Sequence, residues 1–354
     1  MRVRKLACTH VMVAGMRTNG IAYDTGFVRH GQNSRDLFTP TLVRRELEII
    51  RDDLHCDAVH IVGGDPDRLE LAARAAVELG LEVWFSPYPL DLAPAEMVAL
   101  FADCARRAER VRQAGGEVVF VTGVELTLMA RGFLPGDDIT ARLDHLLGQP
   151  EKLGERVADA SARLNAFLAD AIATVREHFR GKLTYACVPL ERVDWTPFDY
   201  LSVELIRSAE VAGQFREGVR TLVGQGKPVA ITGFGTATWR GAPEVAPRSM
   251  EIVEYDDAGE PVALIGDYER DEDGQADYLR DLLEIFDSEG VDSVFVYLFA
   301  LYNFPHRPDE PRRDLDLASL GVVKVLDGAL GETYPDMPWE PKAAFAALAE
   351  YFSR

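Results

Sequence analysis

Short apolar runs alternate along this chain with longer stretches in which apolar residues recur at helical spacing. GIAYDTG (20–26) precedes a helical pattern near 41–54, AVHIVGG (58–64) one near 66–79, LEVWFSP (81–87) one near 94–114, and EVVFVTG (117–123) one near 151–179. The second half continues with KLTYACVP (182–189) before a short connection, DYLSVEL (199–205) before 208–224, PVAITGF (228–234) before 275–287 and SVFVYLFA (293–300) before 340–352. Runs rich in Val, Ile, Phe and Leu suit strands buried on both faces, and strands alternating with helices predict a parallel sheet with crossover helices. Eight such units favour a closed (β/α)8 TIM barrel in a single domain over residues 1–354. No G-x-G-x-x-G follows the first strand, which removes the main reason for an open, dinucleotide-binding sheet.

Two units are irregular. LERVDWTPF (190–198) is too short and too interrupted by proline for a full helix, so the fifth unit reads as degenerate. Residues 243–274 form a long insertion after the seventh strand, in which SMEIVEYDDAGEPVALIGDYE predicts a β-hairpin turning near Asp257 to Gly259, placed to cap the barrel mouth. No linker rich in Pro, Gly or Ser divides the chain.

Composition narrows the partners. At 354 residues and 47% hydrophobic, the chain can bury a large core, and its formal net charge of −20 repels phosphate backbones and anionic lipid. Nucleic acid and membrane surfaces are therefore excluded as expected partners, and no apolar run approaches the roughly 20 residues of a membrane-spanning helix. Cys8, Cys56, Cys104 and Cys187 lie far apart, as structural thiols of a reducing, cytoplasmic compartment would. The N-terminal MRVRKLACTHVMVAG lacks a cleavage signal. Seven histidines without H-x-H or H-E-x-x-H spacing give no support to a metal site, and no cofactor is expected.

In a (β/α)8 barrel, the functional site is assembled at the C-terminal strand ends. Those ends carry Tyr23, Asp24, His60, Asp65, Trp84, Ser86, Glu125, Glu204, Thr232, Gly233 and Tyr297, with Trp239 and Arg240 in the segment after strand seven. The mouth this predicts is acidic and aromatic. Ring faces cover the C–H patches of a sugar while carboxylates accept its hydroxyl hydrogen bonds and move protons, so a small-molecule glycoside or oligosaccharide is the expected ligand. The acidic charge extends that expectation to amino sugars. The bland alternative makes Trp84 and Tyr297 core aromatics, and Asp24 and Asp65 loop caps. Glu125, between apolar runs in VVFVTGVELTLMARG, is the foremost catalytic candidate, because desolvation raises a carboxylic acid toward the working range of a general acid. Its structural alternative is a buried ion pair with Arg131 or Arg240.

With YDTG, LEVWFSP, GVELTLMARGFLPGD, DWTPFDY, KPVAITGFG, TWRGA and MPWEPKAAFAALAEY in this order, nearly the whole chain resembles the clan A glycoside hydrolases, and more closely a group of uncharacterised relatives labelled abortive infection proteins. The resemblance implies retaining hydrolysis on a (β/α)8 barrel, with Glu125 as acid/base and Tyr297 and Trp84 at the sugar subsite. It puts Gly233 on the nucleophile, where the relatives have I-T-E-F-G and this chain has ITGFG. Ile206 stands where a tyrosine is expected, and His60 where an arginine is common. Glycine cannot form a glycosyl-enzyme bond. Two readings stay open. The glycine replaces an engineered-away glutamate, leaving an impaired or glycosynthase-type enzyme; or it is natural, and the barrel binds a carbohydrate without cleaving it or runs another acid-catalysed step, with Glu204 as the second carboxylate.

Overall fold

Strands in which every residue is buried need a packed layer on each face, and a barrel wrapped in helices supplies both. The computed structural model describes residues 15–29, 31–256 and 259–354. Its eight parallel strands are β1 (Thr18–Asp24), β2 (Ala58–Gly63), β3 (Glu82–Pro87), β4 (Val118–Val124), β5 (Lys182–Cys187), β6 (Leu201–Glu204), β7 (Val229–Phe234) and β8 (Ser293–Val296). They close in the order β1-β8-β7-β6-β5-β4-β3-β2, with β2 pairing back to β1. In this ring β4 lies directly across from β8.

The outer helices are α1 (Pro40–Asp52), α2 (Pro66–Glu78), α3 (Pro94–Gln113), α4 (Leu153–His178), α5 (Ala212–Val223), α6 (Glu272–Glu289) and α7 (Ala343–Phe352). Their starts carry sequence-coded caps. Thr39 Oγ1 accepts from the Leu42 N–H at 3.3 Å, and Asp271 accepts from the Gly274 N–H at 3.0 Å. No helix forms between Cys187 and Leu201, so the fifth crossover is the degenerate one. Short helices at Leu126–Met129 and Ile139–Leu147, and a strand pair of Val323–Val325 with Trp339–Pro341, were not legible in the apolar pattern. Among the described residues, no helix is long and apolar enough to cross a membrane.

The core has two layers. Leu47, Ile50, Leu69, Phe101, Leu164, Phe286 and Leu348 pack between barrel and helices. Trp84, Val119, Val121, Tyr200, Ala230 and Phe295 fill the barrel interior. A Cβ on Gly20 would meet the Phe295 ring at 2.5 Å, so β1 must be bare there for that ring to fit. Cys56, Cys104 and Cys187 are free and buried, whereas Cys8 lies outside the described residues.

The insertion after β7 does form a hairpin. Val253–Tyr255 pairs antiparallel with Pro261–Leu264, and of the expected turn at 257–259, residues 257 and 258 lie outside the described residues. Ile252, Val253 and Leu264 join Leu298, Leu301, Phe304, Leu315 and Leu317 in an apolar cluster built from the segments after β7 and β8. Its edge residues Tyr255, Glu260 and Pro261 share a cavity of about 190 Å³ with Tyr297 at the end of β8.

Candidate active site

A bulge at the end of β7 organises this site. Val203 of β6 pairs with Ile231, but the next residue, Glu204, pairs with Gly233, so β7 carries one extra residue there. The pairing of β8 with β7 shifts at the same place, between Val294 and Val296. Such a bulge re-aims the strand end. It sets Gly233 directly across from Glu204, and the Gly233 carbonyl accepts from the Leu205 N–H at 2.9 Å. A Cβ placed on Gly233 would lie 1.7 Å from Glu204 Oε2 and 2.7 Å from Cδ. The glycine is therefore where the Glu204 carboxylate goes, and no side chain fits at 233 while Glu204 holds this position.

A second bulge sets Glu125. The pairing of β4 with β5 shifts between Val121 and Val124, around Gly123 at φ 97°, and the strand ends in Glu125 at φ 48°, ψ 40°. A left-handed glutamate needs support from its surroundings. The Glu125 N–H donates to the Ala186 carbonyl at 2.8 Å, the Leu126 N–H to Tyr185 Oη at 2.8 Å, and the Thr127 N–H and hydroxyl to Glu191 Oε1 at 3.0 and 2.7 Å. Tyr185 in turn donates to Glu191, whose Oε2 also accepts from the Val188 N–H at 3.1 Å. Three successive residues are thus pinned from β5 and the loop after it.

The two carboxylates feel each other. Burial first, then the negative charges of Glu204 and Glu191, push the Glu125 carboxyl well above the usual range, favouring its protonated form. Burial raises Glu204 to about 7, with the Thr232 hydroxyl favouring its charged form. The pair thus sets a carboxyl biased toward its acid form beside one raised to about 7. Neither expected arginine neutralises Glu125: Arg131 lies 3.9 Å from Glu96 and Arg240 pairs with Glu269 at 2.8 Å.

Around the pair, Tyr297 and Tyr88 are half-buried, and the charges of Glu125 and Glu204 add to burial in holding both phenols protonated. Asp24, 2% exposed, takes the Gly26 N–H on Oδ1 at 2.6 Å and leaves Oδ2 without a partner; burial raises it to about 6. His60 hydrogen-bonds through Nδ1 to the Thr232 carbonyl at 3.1 Å, which makes Nδ1 the protonated nitrogen and Nε2 a free acceptor. Burial lowers it to about 4, so the imidazole is neutral. Ser86 Oγ is also buried and unpartnered. Among the described residues, no group of three or more His, Cys, Asp or Glu is arranged to hold a metal ion.

Five expected contacts lie elsewhere. Trp84 is fully buried against Tyr200 and Phe295, and its indole N–H donates to Glu82 at the strand's opposite end. Tyr23 faces outward under α1, donating to Glu46 at 2.5 Å in a cluster with Arg35 and Trp339. Asp65 caps α2 through the Asp67 and Arg68 N–H groups. Trp239 donates to the Ser249 carbonyl and packs on Tyr268, inside the insertion, while Arg240 is spent on exposed Glu269. A strand alternates its side chains between faces and a barrel has two ends, so a strand-end aromatic can miss the mouth in either way. Sequence reasoning passed over Tyr88, Tyr185 and Glu191. A carboxylate in the short fifth connection, just past a strand end, was the available signal for Glu191.

No family model and no curated protein sequence matches the chain. Solved structures do. A GH113 β-1,4-mannanase aligns over 96% of this chain and 99% of that chain at 15% identity, with a TM-score of 0.61. The GH113 β-mannanase AaManA from Alicyclobacillus acidocaldarius, in complex with ManMIm, covers 96% and 97% at 15% identity and TM-score 0.57. The hyperthermostable endo-1,4-β-D-mannanase from Thermotoga petrophila RKU-1 covers 96% and 99% at 11% identity and TM-score 0.52. At these identities the likeness is one of fold: the chain is a single-domain (β/α)8 barrel, as these mannanases are.

Proposed function

We propose that this protein cleaves or transfers a glycosidic bond with net retention, using Glu125 as acid/base and Glu204 as nucleophile, the latter delivered from β6 into the space that a β7 side chain would otherwise fill. The observation that carries the reading is the 1.7 Å between Glu204 Oε2 and the Cβ position of Gly233. In the first step, ionised Glu204 attacks the anomeric carbon while the Glu125 proton passes to the departing oxygen as the glycosidic bond breaks. In the second, Glu125 takes a proton from water, or from an acceptor hydroxyl, which attacks the same carbon and frees the Glu204 carboxylate. Asp24 Oδ2 and His60 Nε2, acceptors without partners, would receive sugar hydroxyls. The hairpin after β7 would cover the bound sugar.

Relatives of this fold bear the name β-1,4-mannanase, so β-1,4-linked manno-oligosaccharides and aryl β-mannosides and β-glucosides are the first substrates to assay. The overall charge favours neutral sugars and amino sugars over uronic acids and phosphosugars, although Arg29, 3.5 Å from Asp91, offsets part of it at the rim. Glu125→Gln should lower kcat on unactivated glycosides by about 10²–10⁴ and much less on aryl glycosides whose leaving group needs no proton. Glu204→Gln should lower both by more than that. NMR of the first-formed anomer should show retention. Inversion, or a Glu204→Gln protein as active as its parent, refutes the assignment.

A further inference from the structure

The cavity over Tyr297 does not end there. It shares Gln32, Ser34, Glu260 and Asn303 with a second cavity of about 820 Å³, so the two form one trough leading from Tyr297, which feels the charges of Glu204 and Glu125, across the segments that follow β1 and β8. Its size is that of a built ligand site. Its wall also holds polar atoms that are out of solvent and unused. Asn33 Oδ1 accepts from the Arg35 N–H and from Arg68 Nη1, both at 2.9 Å, which fixes the amide and leaves its NH₂ buried without a partner. Asn303 Oδ1 is a buried acceptor without one. A donor and an acceptor in one polar trough match the hydroxyls of a saccharide. Leu37 and Leu330, 45% and 61% exposed on the same wall, offer apolar surface to sugar C–H faces.

Direction follows from topology. An acid must stand beside the oxygen it protonates, so the departing group lies on the side of Glu125, at the end of β4. The trough opens on the side of β8 and β1, and β8 is directly across the ring from β4.

Resting on the two-carboxylate reading above, we infer that this trough binds the sugars that precede the cleaved bond, so that the substrate is an oligosaccharide or polysaccharide and the released glycone carries two or more units. Sugar by sugar, affinity and kcat/KM should climb with chain length on that side.

The test uses β-1,4-linked manno- and gluco-oligosaccharides of two to six units beside the aryl monoglycosides. Asn303→Ala and Gln32→Ala should lower kcat/KM on the tetramer about three- to tenfold more than on the aryl monoglycoside. Products of a reducing-end-labelled hexamer should show no stepwise loss of single non-reducing sugars. Rates independent of chain length, or stepwise release of monosaccharide, overturn the inference while leaving the carboxylate assignment intact. Calorimetry on the Glu204→Gln protein separates the two ideas from the other side. Affinity that grows with chain length and weakens in Asn303→Ala, with no turnover in the parent protein, keeps the trough and removes the hydrolase. No binding of any oligosaccharide and no turnover overturns the trough as well.

Discussion

Gly233 and Glu204 act as one unit, and a single methyl group tests it. Gly233 does not adopt a positive φ, so Gly233→Ala should fold, but its Cβ must displace the Glu204 carboxylate. Loss of at least about a hundredfold in kcat, with little change in Tm, is expected. Moving the carboxylate back to β7 is the sharper experiment: Glu204→Ala combined with Gly233→Glu should recover part of the activity that each single variant lacks, and a double variant no better than the singles would leave Glu204 a bystander. The pH dependence has a definite sign. Activity as kcat/KM should rise as Glu204 ionises near 7 and fall at higher pH as Glu125 loses its proton. Stability runs oppositely. The folded value of about 7 lies above the ordinary 4.5, so this group's contribution is present below 4.5 and lost as pH rises through 7. Glu204→Gln should therefore raise Tm at pH 8 by roughly 2 °C or more and leave it unchanged at pH 4, as thermal unfolding at the two pH values will show.

At the scale of elements, β5 and the loop after it serve as a brace for the end of β4. Tyr185, Glu191 and the Ala186 carbonyl hold Glu125, Leu126 and Thr127 by their N–H groups, and Glu125 keeps a left-handed backbone. Tyr185 touches no substrate in this scheme, so it is a positioning residue. Tyr185→Phe removes the acceptor for the Leu126 N–H and the donor to Glu191. Its kcat should fall about tenfold or more with KM nearly constant, and the high-pH limb should move, because Glu191 contributes to the proton affinity of Glu125. An unaltered pH profile would mean that the brace is structural only. The fifth unit lacks a helix for a compatible reason: its short connection is occupied with presenting Glu191.

For the molecule as a whole, the segments after β7 and β8 are locked to the barrel by a buried charge cluster. Arg270 pairs with Asp314 at 3.0 Å and Asp316 at 2.7 Å, and Lys342, just before α7, pairs with Asp316 at 2.9 Å. Lys342 and Asp316 are both nearly inaccessible to solvent, so neither charge tolerates losing its partner. Lys342→Met should cost about 3 kcal/mol in denaturant unfolding. The corresponding Asp316→Asn change should be comparably harmful, since it takes the paired carboxylate from Lys342 and one of the carboxylates from Arg270. Leu315 and Leu317, which alternate with these aspartates, belong to the apolar cluster that includes the hairpin's Val253 and Leu264.

What this chain's sequence determined by itself was local and periodic. Eight apolar runs, the helices between them, the missing fifth helix, the hairpin after β7 and a carboxylate ending β4 all follow from side-chain spacing and from Gly, Pro and capping residues within a few positions of one another. Tertiary structure decided which strand-end side chains meet. Whether Tyr23 faces out, whether Trp84 reaches the mouth, and whether Asp65 caps a helix depend on face and depth, which a one-residue shift of register reverses. The bulges at Gly123 and Gly233 are such shifts. Glu204 in the space beside Gly233 is a relation between two strands, formed only when β6 and β7 pair in that register, and no pattern within either strand contains it.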